Sequence, residues 1–114
     1  MLKIMAFLTK REDVETRAFI EHYEHTHVPL IRRLAPAPVL YKRNYLLRGD
    51  EFNIEDEAIA FDVVTEIAFR DRDSYLAWRA HLAEAGSAVA DDEKRFLDRS
   101  RTRAYVVEEC VTSG

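Results

Sequence analysis

Ala58-Ile-Ala-Phe-Asp-Val-Val-Thr-Glu-Ile-Ala-Phe69 alternates in polarity from end to end. Ile59, Phe61, Val63, Thr65, Ile67 and Phe69 fall on one side of an extended chain, and Ala58, Ala60, Asp62, Val64, Glu66 and Ala68 on the other. Side chains of a strand point to opposite faces with a period of two, so this segment predicts a strand over 58–69 with one strongly apolar face.

Upstream, residues 48–57 are acidic and polar, contain Gly49 and Asn53, and predict a loop longer than a tight hairpin turn. Val39–Leu47, rich in Tyr and Leu, predicts another strand, fed by Pro36-Ala37-Pro38, which cannot continue a helix. Before the prolines lies a long helical pattern that Asp13 is placed to cap. At about 100° per residue, Ile20, Tyr23, His27, Leu30, Ile31 and Leu34 share one arc of that helix, and His22 and His25 point the other way. Pro29 lacks an N–H and crowds the carbonyl of His25, which predicts a kink or a loosened turn there. The apolar run over 2–9 stops at Lys10-Arg11-Glu12-Asp13 and is too short for a helix, so it predicts the first strand.

Downstream, Asp71 or Asp73 caps a second helix through Tyr75, Trp78 and Leu82, interrupted at Gly86 and resumed through Val89 to Phe96. Arg103–Cys110 predicts the last strand. The order strand, helix, strand, strand, helix, strand is the split-βαβ, ferredoxin-like arrangement. Its α+β fold packs two helices on one face of a four-stranded antiparallel sheet. The other face is left uncovered, and its apolar side chains predict a two-fold homodimer.

A length of 114 residues suits a single domain over 1–114, and 47 % apolar residues with 6 Phe, 5 Tyr and 1 Trp can fill its core. The net charge is −4 and the basic residues are scattered among acids, which argues against nucleic acid as a partner. Cys110 is the only cysteine, so no intrachain disulfide or Cys-based metal site is expected, and a reducing compartment fits. Lys3 breaks the N-terminal apolar run, no small-residue cleavage site follows, and no stretch nears the ~20 apolar residues of a membrane span. The chain therefore reads as cytoplasmic, with neither leader nor membrane anchor.

Phe19-Ile-Glu-His-Tyr23-Glu-His-Thr-His27-Val-Pro29-Leu30 resembles the EthD family of the dimeric α/β-barrel superfamily. Phe, an aromatic four residues on, His and then Pro-Leu form the shared pattern. Lys42-Arg43-Asn44-Tyr45, Phe61-Asp62 with Glu66 and Phe69, and Asp92-Glu93 with Phe96-Leu97-Asp98 and Arg101 match further along in the same order. The resemblance implies a ferredoxin-like homodimer with a small-molecule pocket between sheet and helices. Relatives include a protein encoded with an ether-degrading monooxygenase system, enzymes that cyclise or decarboxylate aromatic polyketides, and a muconolactone methylisomerase, none with an organic cofactor of its own.

His27 is the first candidate for catalysis, because an imidazole on an apolar stripe must be hydrogen-bonded inside the protein or open to a pocket. Imidazole titrates near neutrality, which suits proton transfer; the structural alternative is a core histidine bonded to a carbonyl freed by Pro29. Tyr45 could donate to a developing oxyanion or simply pack. Asp62 and Glu66 share a strand face, as an acid–base pair or as ion-pair partners of Lys42 and Arg43, away from the layer of Phe61 and Ile67. Tyr23 and Trp78 are placed to line a substrate pocket or to fill the core. His22 and His25 read as solvated and Asp91-Asp92-Glu93 as a solvated helix face, so no metal site is expected.

The leading expectation is a cofactor-independent enzyme in which His27 moves a proton next to a carbonyl of an aromatic, polyketide-like or lactone substrate. A non-catalytic ligand-binding or accessory protein of an oxidative system is the alternative. An oxygenase acting on haem or quinols is weaker, since no haem-ligand motif is present.

Overall fold

The computed structural model describes residues 1–114. The strands are β1 (Leu2–Leu8), β2 (Leu40–Tyr45), β3 (Val63–Phe69) and β4 (Arg103–Val107), in the spatial order β2-β3-β1-β4 with every pairing antiparallel. Between β1 and β2 run α1 (Thr16–His22), a π-helical turn (Tyr23–His27) and α2 (Val28–Leu34). Between β3 and β4 run α3 (Arg72–Glu84) and α4 (Ala88–Phe96). This is the α+β, βαββαβ arrangement expected from the sequence, with its helices on one face of the sheet.

Asp71 caps α3, its side chain accepting the N–H of Ser74 at 2.8 Å. Gly86, with φ +67°, separates α3 from α4 in a backbone conformation that side chains with a Cβ rarely adopt. Three expectations fail at element ends, the first being the last strand, which stops at Val107 rather than Cys110. Asp13 does not cap α1; it pairs with Arg11, and the cap position falls at Glu15, which makes no side-chain capping bond. The alternating segment becomes strand only from Val63. The Asp62 side chain instead accepts the Lys10 N–H at 2.8 Å, and the chain before it turns back at Asp56–Ile59. Phe61 is therefore out of step, its ring 5.2 Å from that of Phe7, a residue on the uncovered face.

Register fixes the two faces of the sheet. Leu2, Ile4, Ala6 and Leu8 pair with Phe69, Ile67, Thr65 and Val63 under the helices, whereas Lys3, Met5 and Phe7 pair with Ala68, Glu66 and Val64 on the other side. The core divides in two. Leu8, Phe19, Tyr23, Val28, Val63, Phe96 and Leu97 form the larger cluster, and Leu2, Ile4 and Phe69 a smaller one joined by Ile67, Tyr75 and Trp78. The molecule is a slab of 41 × 40 × 22 Å whose radius of gyration, 15.0 Å, exceeds the roughly 13 Å of a compact chain this long. No helix is long and apolar enough to cross a membrane.

Candidate functional site

Pro29 has no N–H to give the carbonyl of His25, and its ring would crowd that carbonyl in a regular α-helix. The chain widens just before it. The Val28 N–H donates to the carbonyl of Tyr23, five residues back, in the π-helical turn Tyr23–His27. In an α-helix His22 and His27 would lie about 140° apart around the axis. The wider turn brings residues five apart onto nearly the same side, and both imidazoles reach one carboxylate.

That carboxylate belongs to Asp92 on α4. His27 Nδ1 lies 2.8 Å from Asp92 Oδ2, and His22 Nε2 lies 3.0 Å from Oδ1. Asp92 and His27 are each only 5 % exposed, so the pair is largely buried. This corrects two expectations. Asp92 is not on a solvated face, because it sits one helical turn before the buried Phe96 and shares its side of α4; that spacing was the available signal. His22 is not solvated either, since its ring lies 4.6 Å from that of Phe96 and is drawn inward by the π turn. His25 does stay outside, 3.3 Å from Glu21.

An ionised carboxylate only accepts hydrogen bonds, so both nitrogens facing Asp92 carry hydrogen: His22 donates from Nε2 and His27 from Nδ1. Neutral His27 then presents Nε2 as a bare lone pair. Nε2 has no hydrogen-bond partner in the chain, and Trp78 Nε1 is the only buried side-chain nitrogen or oxygen left unpartnered, so Nε2 is not sealed off. Tyr23 and Phe96 flank the imidazole at 5.6 and 5.0 Å between ring centres.

Tyr23, fully packed, shares a hydrogen bond of 2.7 Å with Thr65 Oγ1, and burial raises its pKa. Tyr45 stands edge-on to Tyr23 at 6.0 Å and donates to Glu24 Oε2 at 2.5 Å. Arg43 clasps the same carboxylate through two nitrogens at 2.9 and 2.6 Å, holding Glu24 below the usual carboxylate range. Burial and the bond to Glu24 both raise the Tyr45 pKa, so this phenol is a hydrogen-bond donor rather than a ready acid.

Tyr45 and Asp62 come together in one cavity of about 280 Å³, whose other walls are Thr16, Phe19, Ile20, Leu46, Leu47 and Arg48. His27 lines none of the five main cavities. Glu66 is on the uncovered sheet face, bonded to Lys3 at 3.2 Å and Asn44 at 3.0 Å and 3.3 Å from Lys42; Asn44 and Lys3 hold its pKa down. Trp78 packs against Phe69 and Tyr75 in the smaller cluster, beneath α3. The structure thus separates the six residues singled out from the sequence into a buried histidine site with Tyr23, a cavity at Tyr45 and Asp62, and two remote positions.

A four-stranded antiparallel sheet in the order β2-β3-β1-β4, with its helices on one face, defines a ferredoxin-like α+β protein. A model of the EthD domain matches residues 11–100, and the chain belongs to the EthD family. An EthD family protein from Bacillus halodurans C-125 has a similar structure, with a TM-score of 0.64 and 24 % identity over 96 % of this chain and 100 % of that one. A dimeric ferredoxin-like protein of unknown function from Thermobifida fusca has a TM-score of 0.57 at 16 % identity, covering 93 % of this chain and 88 % of that one. A hydroxynitrile lyase from Passiflora edulis gives 0.56 at 14 %, over 97 % and 96 %. No curated protein matches the chain.

Proposed function

We propose that this protein is a homodimeric, cofactor-independent enzyme of small-molecule acid–base chemistry, of cyclase, isomerase or lyase type, with His27 as its base. The observation that carries this reading is the Asp92–His27 pair, in which a buried carboxylate orients the imidazole and leaves Nε2 free. Nε2 takes a proton from an activated C–H or O–H group, Asp92 balances the imidazolium that forms, and the proton returns to the product. Such help is worth roughly 10² to 10⁴ in rate. Tyr45 and Asp62 line a cavity of their own, and Tyr23 packs edge-on against both Tyr45 and the His27 imidazole.

For substrates we take up the classes that the family resemblance implies, aromatic polyketides and lactones, and a hydroxynitrile, after the lyase of similar fold. The test is turnover of muconolactone, a model aromatic polyketide and mandelonitrile by the wild type and by His27→Ala. Loss of turnover with the dimer intact is expected; full activity in the variant overturns the mechanism.

A second reading, a non-catalytic ligand-binding or accessory protein, rests on a different observation. Tyr45 and Asp62 share a cavity that His27 does not line, so the Asp92–His27 bond would serve only to tie α4 to the π turn. Binding of these compounds without turnover by the wild type decides for it.

A further inference from the structure

We propose that His22 is a positioning residue for His27 and acts through Asp92, an inference that rests on reading His27 as the base. A carboxylate held by one partner can swing about its last side-chain bond and exchange its oxygens. Asp92 is held by two. The His22 Nε2–H at Oδ1 and the His27 Nδ1–H at Oδ2 fix the carboxylate plane from both edges, at 3.0 and 2.8 Å.

His22 is itself immobilised, its ring 4.6 Å from that of Phe96 and its side chain 23 % exposed. No other cation takes over Asp92: His25 faces Glu21 on the outside, and Arg99 is engaged by the adjacent Glu93 at 3.3 Å. The arrangement exists only because the π turn puts residues five apart on one side, so the irregularity at Pro29 and the orientation of His27 have one origin. With Asp92 locked, His27 carries its hydrogen on Nδ1 and keeps Nε2 as the acceptor. Without the His22 donor, Oδ1 is left unbonded, the carboxylate turns, and His27 samples both tautomers.

The test is long-range ¹H–¹⁵N correlation spectroscopy of the imidazoles, at about pH 8 where a free imidazole is neutral, on the full chain and its variants. The wild type is expected to show a single His27 tautomer with an unprotonated Nε2. The donor-free variants His22→Phe and His22→Leu are expected to lose that single signature, and His22→Gln, which keeps an N–H donor, to restore it. Two donor-free variants are made so that one folded chain, judged by circular dichroism, suffices. An unchanged His27 tautomer in a folded donor-free variant overturns the proposal, as does a His22→Gln spectrum as mixed as theirs. The spectra need no substrate. An inert His27 in the turnover assay therefore overturns the catalytic reading alone, whereas unchanged spectra in an active enzyme overturn only the role of His22.

Discussion

His27 Nδ1 and Asp92 Oδ2 lie 2.8 Å apart although the two residues are 65 positions apart in the chain. This contact ties the π turn before α2 to α4, beside the rings of Tyr23 and Phe96. Replacing Asp92 with Ala leaves the His27 N–H buried without an acceptor and frees His22. We expect a loss of about 3 kcal/mol in unfolding free energy, read as a lowered urea midpoint with an unchanged slope.

Glu24 predicts how stability depends on acid. Arg43, with burial opposing and Tyr45 adding, holds its pKa below the ordinary 4.5. A carboxylate depressed in the folded state contributes stability that is fully present above its unfolded pKa and is lost as pH falls through the folded value. Urea midpoints measured from neutrality downward should therefore drop below about pH 4.5 in the wild type. The drop should be smaller in Glu24→Gln, and equal slopes in the two would show that Glu24 does not contribute.

The buried hydroxyl pair of Tyr23 and Thr65, at 2.7 Å, lends itself to a double-mutant cycle. Thr65→Val leaves the phenol one partner short and should cost about 1 kcal/mol. Adding Tyr23→Phe removes the orphaned hydroxyl, so the double variant should be more stable than the sum of the single changes implies. Strict additivity would mean that the two hydroxyls are not coupled.

On the uncovered sheet face, Phe7 and Tyr105 stand 6.2 Å apart edge to face, with Tyr105 61 % exposed. Light scattering of the wild type should give the mass of a dimer. Tyr105→Lys, placing charge on that face along the edge strand β4, should shift the equilibrium towards monomer without unfolding the chain. A dimer of unaltered strength in this variant would place the interface elsewhere.

The fold was legible where one physical rule acted alone. Alternation marked Val63–Phe69, the pair of candidate caps Asp71 and Asp73 marked the start of α3, with Asp71 taking the role, and Gly86 marked the break before α4. Alternation misled over 58–62 because strand pairing also needs a neighbour: the backbone pairing runs out at Asp62, which bonds Leu8 and Leu46, and the chain before it turns back at Asp56–Ile59. At the site, His27 was found because it lies on the apolar stripe. His22 and Asp92 were missed for separate reasons. A fixed 100° per residue turns His22 outward and cannot anticipate a π turn, although Pro29 had flagged an irregularity there. Asp92 was hidden in an acidic run, when its place four residues before Phe96 set it apart from Asp91 and Glu93.

Trp78 is the only tryptophan in the chain, and its indole lies 5.4 Å from the ring of Phe69 between β3 and α3. Intrinsic fluorescence excited at the indole band is therefore a local gauge. It reports whether α3, a helix with no fully buried residue, is seated on the smaller cluster, and it is blind to events around His27. An emission change that precedes the loss of helical ellipticity during denaturation would mean that α3 lifts off the sheet first, as a separate cooperative unit.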